Sequence, residues 1–167
     1  MWYQIPIPRI DQPKAGTYRD WKTLLAAEGK NQCAYCAIHE ARWGGERNFH
    51  VEHYRPKKKF EDLENVIENF FYACSVCNGF KREDWPGEPT PELDVACYPS
   101  PSGTNYNDIM DVDDSWRLRG RNRAAKYVIA RLALNRAQLI LEGDRPRSRQ
   151  RCKLSCQGLR ERCSPQR

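Results

Sequence analysis

Long apolar runs are missing from this chain. None approaches the roughly 18 residues that a membrane-spanning helix needs, and mean hydropathy is −0.86, so no membrane segment is expected. The opening Met1-Trp2-Tyr3-Gln4-Ile5-Pro6-Ile7-Pro8 lacks the basic start and long apolar centre of a secretory leader, which points to the cytosol (cytoplasmic localisation). Histidine is scarce at three residues, which confines imidazole chemistry to His39, His50 and His53. Acid is scarce at one end. From Arg117 to Arg167 there are 15 Lys/Arg against 3 Asp/Glu, a net of +12, while the remaining residues hold 13 against 19, a net of −6, giving the overall +6. A basic end beside a carboxylate-bearing core suits contact with nucleic acid or another acidic partner, because phosphate neutralisation supplies much of non-specific affinity. A solvated tail is the alternative. The length of 167 residues suits one domain with a modest core.

Cysteine, by contrast, is plentiful at eight residues, and in a cytosolic chain that argues for metal before disulfide. Cys33-Ala-Tyr-Cys36 and Cys74-Ser-Val-Cys77, with 37 residues between Cys36 and Cys74, can give four thiolates to one tetrahedral Zn2+. Such a knot fastens both ends of a loop that carries Glu52-His53, and Asn78 directly follows the last ligand. Closing it brings Asn78 and Glu52-His53 into one neighbourhood, which asks for a second metal.

Glu52-His53, Asn69 and Asn78 around two cysteine pairs resemble the ββα-metal core of the HNH endonucleases, in the form braced by a zinc knuckle. The wording Val51-Glu-His-Tyr-Arg-Pro-Lys57 and Cys74-x-x-Cys-Asn-x-x-Lys81 is similar to the HNH proteins of the Septu anti-phage system and of retron systems. The likeness extends weakly to 124–141. The resemblance implies His53 as the general base, Glu52 and Asn78 as ligands of a catalytic Mg2+ or Mn2+, and Asn69 as a group that fixes the loop or the His53 ring. It further implies a 5′ phosphate and a 3′ hydroxyl on the products, a role in phage defence and an ABC-type ATPase partner. Most family members have Asp where Glu52 stands. DNA is the first-choice substrate, with RNA equally compatible with backbone-directed hydrolysis. A zinc-binding module that binds nucleic acid or protein without cleaving it is the rival reading.

The expected fold is α+β: a small ββα core at 33–83 flanked by an N-terminal helix at 17–28 and a packing helix at 122–141, with 1–143 forming the nuclease domain and 144–167 a basic tail. Thr17 and Asp20 mark a helix start, Tyr18, Trp21, Leu24 and Leu25 its apolar face, and Gly29 its stop. Phe49–Tyr54 and Asn69–Ala73 read as the two strands, and 75–81 as the helix carrying Asn78 and Lys81. Strict alternation puts His50 and Glu52 on one face and His53 on the other, so a bend near Pro56 is required to aim Glu52 and His53 at one metal. His50 remains the competing base. His39 follows the first knuckle at a spacing compatible with zinc, although four thiolates already suffice. Arg55, Lys57 and Lys81 are the candidate nucleic-acid contacts, together with cations on one side of the 122–141 helix, Arg136 among them. Residues 84–114 read as an irregular excursion, 115–119 as a short strand, and Cys97, Cys152, Cys156 and Cys163 as free thiols.

Overall fold

The computed structural model describes residues 6–143. The basic tail at 144–167, with Cys152, Cys156 and Cys163, lies outside the described residues. The chain is α+β. In order, its elements are α1 (Lys22–Glu28), β1 (Phe49–His53), β2 (Phe70–Cys74), α2 (Ser75–Lys81), α3 (Tyr106–Ile109), β3 (Met110–Val112), β4 (Leu118–Gly120) and α4 (Arg123–Arg131), with 137–143 helical again. Among the described residues no helix is long and apolar enough to cross a membrane.

β1 and β2 pair antiparallel, from Phe49 opposite Cys74 to His53 opposite Phe70. Every residue of β2 is buried, as expected of an unbroken apolar run covered on both faces. In β1, Phe49 and Glu52 are buried, Val51 and His53 half-buried, and His50 exposed. Helix α2 leaves β2 without a linker and packs back against both strands, completing the ββα unit. On the other side α1 covers β2, with Trp21 against Phe70 at 5.9 Å between ring centroids.

Helix α1 is shorter than expected. Asp20 accepts from Thr17 N (2.8 Å) and Thr17 Oγ1 (3.1 Å), which closes a turn ahead of the helix instead of capping it. Leu24 faces solvent, while Trp21, Leu25 and Ala26 are buried. Nor is Gly29 the left-handed residue that ends α1. Its φ is −83°, whereas Lys30 has φ 52°, and Lys30 N to Ala27 O with Asn31 N to Ala26 O close a Schellman pair one position later.

The single helix expected at 122–141 is two. Asn122 caps α4 through Ala125 N (2.8 Å), but the helix stops at Arg131. Leu134 N bonds Ile129 O (2.9 Å), Ala133 N bonds Ala130 O (3.2 Å), and Ala133 takes φ 46°: a Schellman stop with alanine where glycine is usual. A left-handed alanine costs about 1–2 kcal/mol. The break turns Leu132, Leu134 and Leu139 into the core, each almost wholly buried, and burying one leucine contributes about 1.5–3 kcal/mol. The break therefore wins.

Residues 84–105 wrap over the core without regular structure, held where Tyr54 Oη donates to Tyr98 O (2.5 Å) and Trp85 stacks on Tyr98. The excursion ends sooner than expected, at α3. The acidic run from Asp108 enters β3, which pairs with β4 at Leu118–Gly120 instead of at 115–119. Asp113 Oδ1 accepts from Ser115 N and Arg117 N in the intervening turn, and Asp111 pairs with Arg121. A Cβ on Gly120 would lie 2.5 Å from Lys126 N, so only glycine allows β4 to approach α4 this closely.

Candidate active site and metal centre

Cys33 and Cys36 sit on a tight knuckle after α1, closed by Ala37 N to Cys33 O (2.8 Å) and Cys33 N to Ile38 O (3.0 Å). Ala34 N donates to Tyr72 O (2.9 Å), fastening the knuckle to β2. Cys74 ends β2 and Cys77 lies in the first turn of α2. All four sulfurs are buried and within 4.8 Å of one another. Four soft donors converging from two short turns fit a structural metal such as zinc. Cys74 Sγ also accepts Cys77 N at 3.5 Å, so a ligand doubles as the helix cap. Contacts from Cys33, Cys36 and Cys77 hold the Cys74 thiol far below the ordinary value, while Cys33, by burial, and Cys77, by its neighbouring sulfurs, are pushed well above theirs. A divalent cation would favour the thiolate form of its ligands. His39 is not a member. Its Nδ1 accepts Ala41 N at the start of a one-turn helix.

Arg136, which sequence reasoning aimed at nucleic acid, is half-buried and points at this centre. Its guanidinium reaches Cys36 Sγ at 3.4 Å and Cys77 Sγ at 3.8 Å, and also donates to Leu132 O and Ala133 O at the end of α4. A four-thiolate site with zinc carries two negative charges, and Arg136 is the cation that opposes them. Outer contacts of this kind typically change metal affinity by about 10–100-fold. Arg136→Gln should therefore release zinc to a chelator about tenfold faster than wild type, read with a chromogenic zinc dye.

At the other end of the strand pair, His53 is held edge-on between Tyr18 and Phe70, with ring centroids 4.8 Å away in each case. His53 Nε2 lies 3.2 Å from Glu64 O. A carbonyl only accepts, so in the neutral ring Nε2 carries the hydrogen and Nδ1 keeps the free lone pair. Nδ1 makes no hydrogen bond among the described residues. Burial pushes the imidazole below its ordinary 6.5, with the Glu64 carbonyl opposing, so the ring is neutral and basic at pH 7.

Asn69 is 4% exposed. Its Oδ1 accepts Arg55 N (2.8 Å) and its Nδ2 donates to Arg55 O (3.0 Å) and Leu63 O (3.3 Å). The amide thus pins both ends of the loop whose next residue, Glu64, holds the His53 ring. Its contact is with the loop, not with the ring. His50, the competing base, is exposed, and no hydrogen bond to its ring occurs among the described residues.

Glu52 goes the other way. The strand stays in register through His53, and Glu52 is 3% exposed beneath α2, where Lys81 meets it at 2.6 Å, Nζ to Oε1. The bend required to bring Glu52 and His53 onto one face is not present within β1. Lys81 is itself fully buried and donates to His53 O at 2.9 Å, with its ammonium 5.3 Å from the Tyr98 ring centroid. The expectation of a nucleic-acid contact at Lys81 is thereby corrected: no part of the side chain reaches solvent. The signal was legible in the helical spacing, since Lys81 falls four residues after buried Cys77 and so shares its inward face. The buried Tyr35 hydroxyl lies beside the Glu52 carboxylate. Burial raises the Glu52 carboxyl above its ordinary value, and Lys81 opposes this. Half-buried Asn78 lies one turn before Lys81, on the same side of α2. Lys57 pairs with Glu64 (3.2 Å) and Arg55 with Glu88 (2.6 Å), both at the surface.

Residues 33–83 match the family model of the HNH endonucleases. That span takes in all four zinc-type ligands as well as Glu52, His53, Asn69, Asn78 and Lys81. No curated protein and no solved structure matches the chain.

Proposed function

We propose that this chain is a metal-dependent HNH-type endonuclease that hydrolyses phosphodiester bonds of nucleic acid, DNA before RNA. The observation that supports it best is His53, a neutral imidazole whose Nε2 is tied to a carbonyl and whose Nδ1 is left as a base. In the proposed reaction Nδ1 takes a proton from water, the oxygen attacks phosphorus, and the 3′ oxygen departs, leaving a 5′ phosphate. Asn69 keeps the Glu64 carbonyl in place and is a positioning residue. Glu52 and Asn78 offer oxygen donors of the kind that suits Mg2+ or Mn2+. The ion, when bound, supplies charge compensation for the leaving oxygen. Lys57 and Arg55, both at the surface, are the proposed phosphate contacts.

Supercoiled plasmid tests this. Nicking is expected with Mg2+ or Mn2+, to be abolished by EDTA at a concentration that leaves the circular dichroism unchanged, and to fall at least a hundredfold in Asn78→Ala; cleavage that persists in EDTA would refute a metal-dependent mechanism. A role in phage defence and an ABC-type ATPase partner belong to the same proposal, on the strength of the Val-Glu-His-Tyr-Arg-Pro and Cys-x-x-Cys-Asn-x-x-Lys wording alone. Their test is phage plating on cells that express this chain with and without a co-expressed ABC-type ATPase. Two observations favour the rival reading of a non-cleaving zinc module: Lys81 already neutralises Glu52, and Glu52 faces α2 while His53 faces Tyr18 and Phe70 on the other side of β1; under that reading no metal restores cleavage on DNA or RNA.

A further inference from the structure

We infer that Lys81 is the resident counter-cation of Glu52, and that a divalent ion reaches this carboxylate only by taking the place of the ammonium. The inference rests on the reading of Glu52 as a metal ligand and deepens it.

A carboxylate with 3% exposure and no cation would be a costly isolated charge. Here a fully buried ammonium lies 2.6 Å away, and its other contacts are the His53 carbonyl at 2.9 Å and the face of Tyr98. Every partner of Lys81 is thus an acceptor or a ring face, a cage built for a positive charge. What sets Lys81 apart from a surface lysine is burial: Lys58, for example, pairs with the exposed Glu83. The buried Tyr35 hydroxyl lies beside the Glu52 carboxylate, so Glu52 is enclosed by the ammonium and one phenol. An ion ligated by Glu52 would meet the ammonium head-on, because two positive charges cannot share one buried oxygen at contact distance. The displaced ammonium would keep its tether to α2, close to Asn78 and to the backbone of His53. Ion entry and lysine release are then one event. Metal affinity carries the cost of breaking the pair.

The test uses the zinc-loaded chain, with Mn2+ as the probe and calorimetry or electron paramagnetic resonance as the readout. Lys81→Met should bind Mn2+ at least tenfold more tightly than wild type, and Glu52→Gln should lose binding. If Glu52→Gln loses Mn2+ while Lys81→Met binds it no more tightly than wild type, the competition is refuted and the metal reading stands. If Glu52→Gln binds Mn2+ like wild type, Glu52 is not a ligand and the metal reading falls with the inference. Wild type gives a second measurement that does not depend on a variant folding. Reductive methylation followed by peptide mass analysis should find Lys81 unmodified without divalent ion and modified at least tenfold more with saturating Ca2+. A Lys81 that stays protected in Ca2+ overturns the inference.

Discussion

Replacing Cys74 with serine is expected to unfold the protein at 25 °C, and stripping zinc with a strong chelator should do the same. The expectation follows from how much of the core converges on four sulfurs. Cys74 closes β2, caps α2 and stands within 4.8 Å of sulfurs from a knuckle far back in the chain. The ββα unit is small: β1 and β2 are five residues each and α2 is seven, too short to hold a helix alone. Structural zinc in small four-ligand sites supplies an apparent 10–16 kcal/mol or so near neutral pH, as much as the roughly 5–15 kcal/mol by which whole domains are stable. Loss of a ligand should therefore cost about 5 kcal/mol or more. Thermal melts followed by circular dichroism, with and without chelator, check this directly. Cys97→Ser is the control, since Cys97 is equally buried but stands outside the four-sulfur group; it should cost only about 1–3 kcal/mol for the buried hydroxyl. Equal losses from the two serines would mean that the sulfurs matter as packing and not as ligands.

The second large effect is on catalysis. His53→Ala should lower the cleavage rate by about 100- to 10,000-fold, the usual contribution of a positioned base. His50→Ala should leave it within a factor of about two, because a solvent-facing ring with no fixed partner supplies little of that contribution. The pH dependence has a definite sign. His53 is pushed below its ordinary 6.5 by burial against Tyr18 and Phe70 and by the charges of Lys57 and Lys81, while the Glu64 carbonyl and carboxylate oppose them. Cleavage should therefore rise as pH climbs through a midpoint below 6.5 and stay level above it. Stability follows the same direction. The unfolded ring binds a proton more readily than the folded one, so the contribution of His53 is full above the unfolded value and is lost as pH falls through the folded value. A profile with its midpoint above 6.5, or a His50→Ala protein that loses activity, would move the base elsewhere.

The zinc-type centre was legible because two short cysteine pairs leave few other uses for four buried thiols, and β2 was legible because Phe70-Phe-Tyr-Ala-Cys74 is apolar without interruption. The same reasoning failed where one residue did an unusual job. Alanine at position 133 carries the left-handed stop that glycine normally announces, so Asn122 to Leu141 reads as one helix. Lys81 and Arg136 are long cations that look like surface residues, yet one neutralises a buried acid and the other faces sulfur. For Lys81 the helical spacing to buried Cys77 held the information that charge alone concealed, whereas Arg136 lies in the break between two helices, where no period applies. The pairing of β3 with β4 was hidden because three-residue strands are too short to show alternation. The placement of Glu52 and His53 could not be decided from the alternation rule, because whether the strand bends between them depends on what α2 presents from above.

The ring that grips His53 belongs to Tyr18, and the cation that faces the sulfurs is Arg136, both far outside 33–83. A graft of 33–83 alone into another scaffold would transfer the four sulfurs and the proposed base but neither of the side chains that aim them. This motif travels only with its surroundings: any host must regrow an aromatic wall on one side and a guanidinium on the other before the transplanted residues regain their orientation.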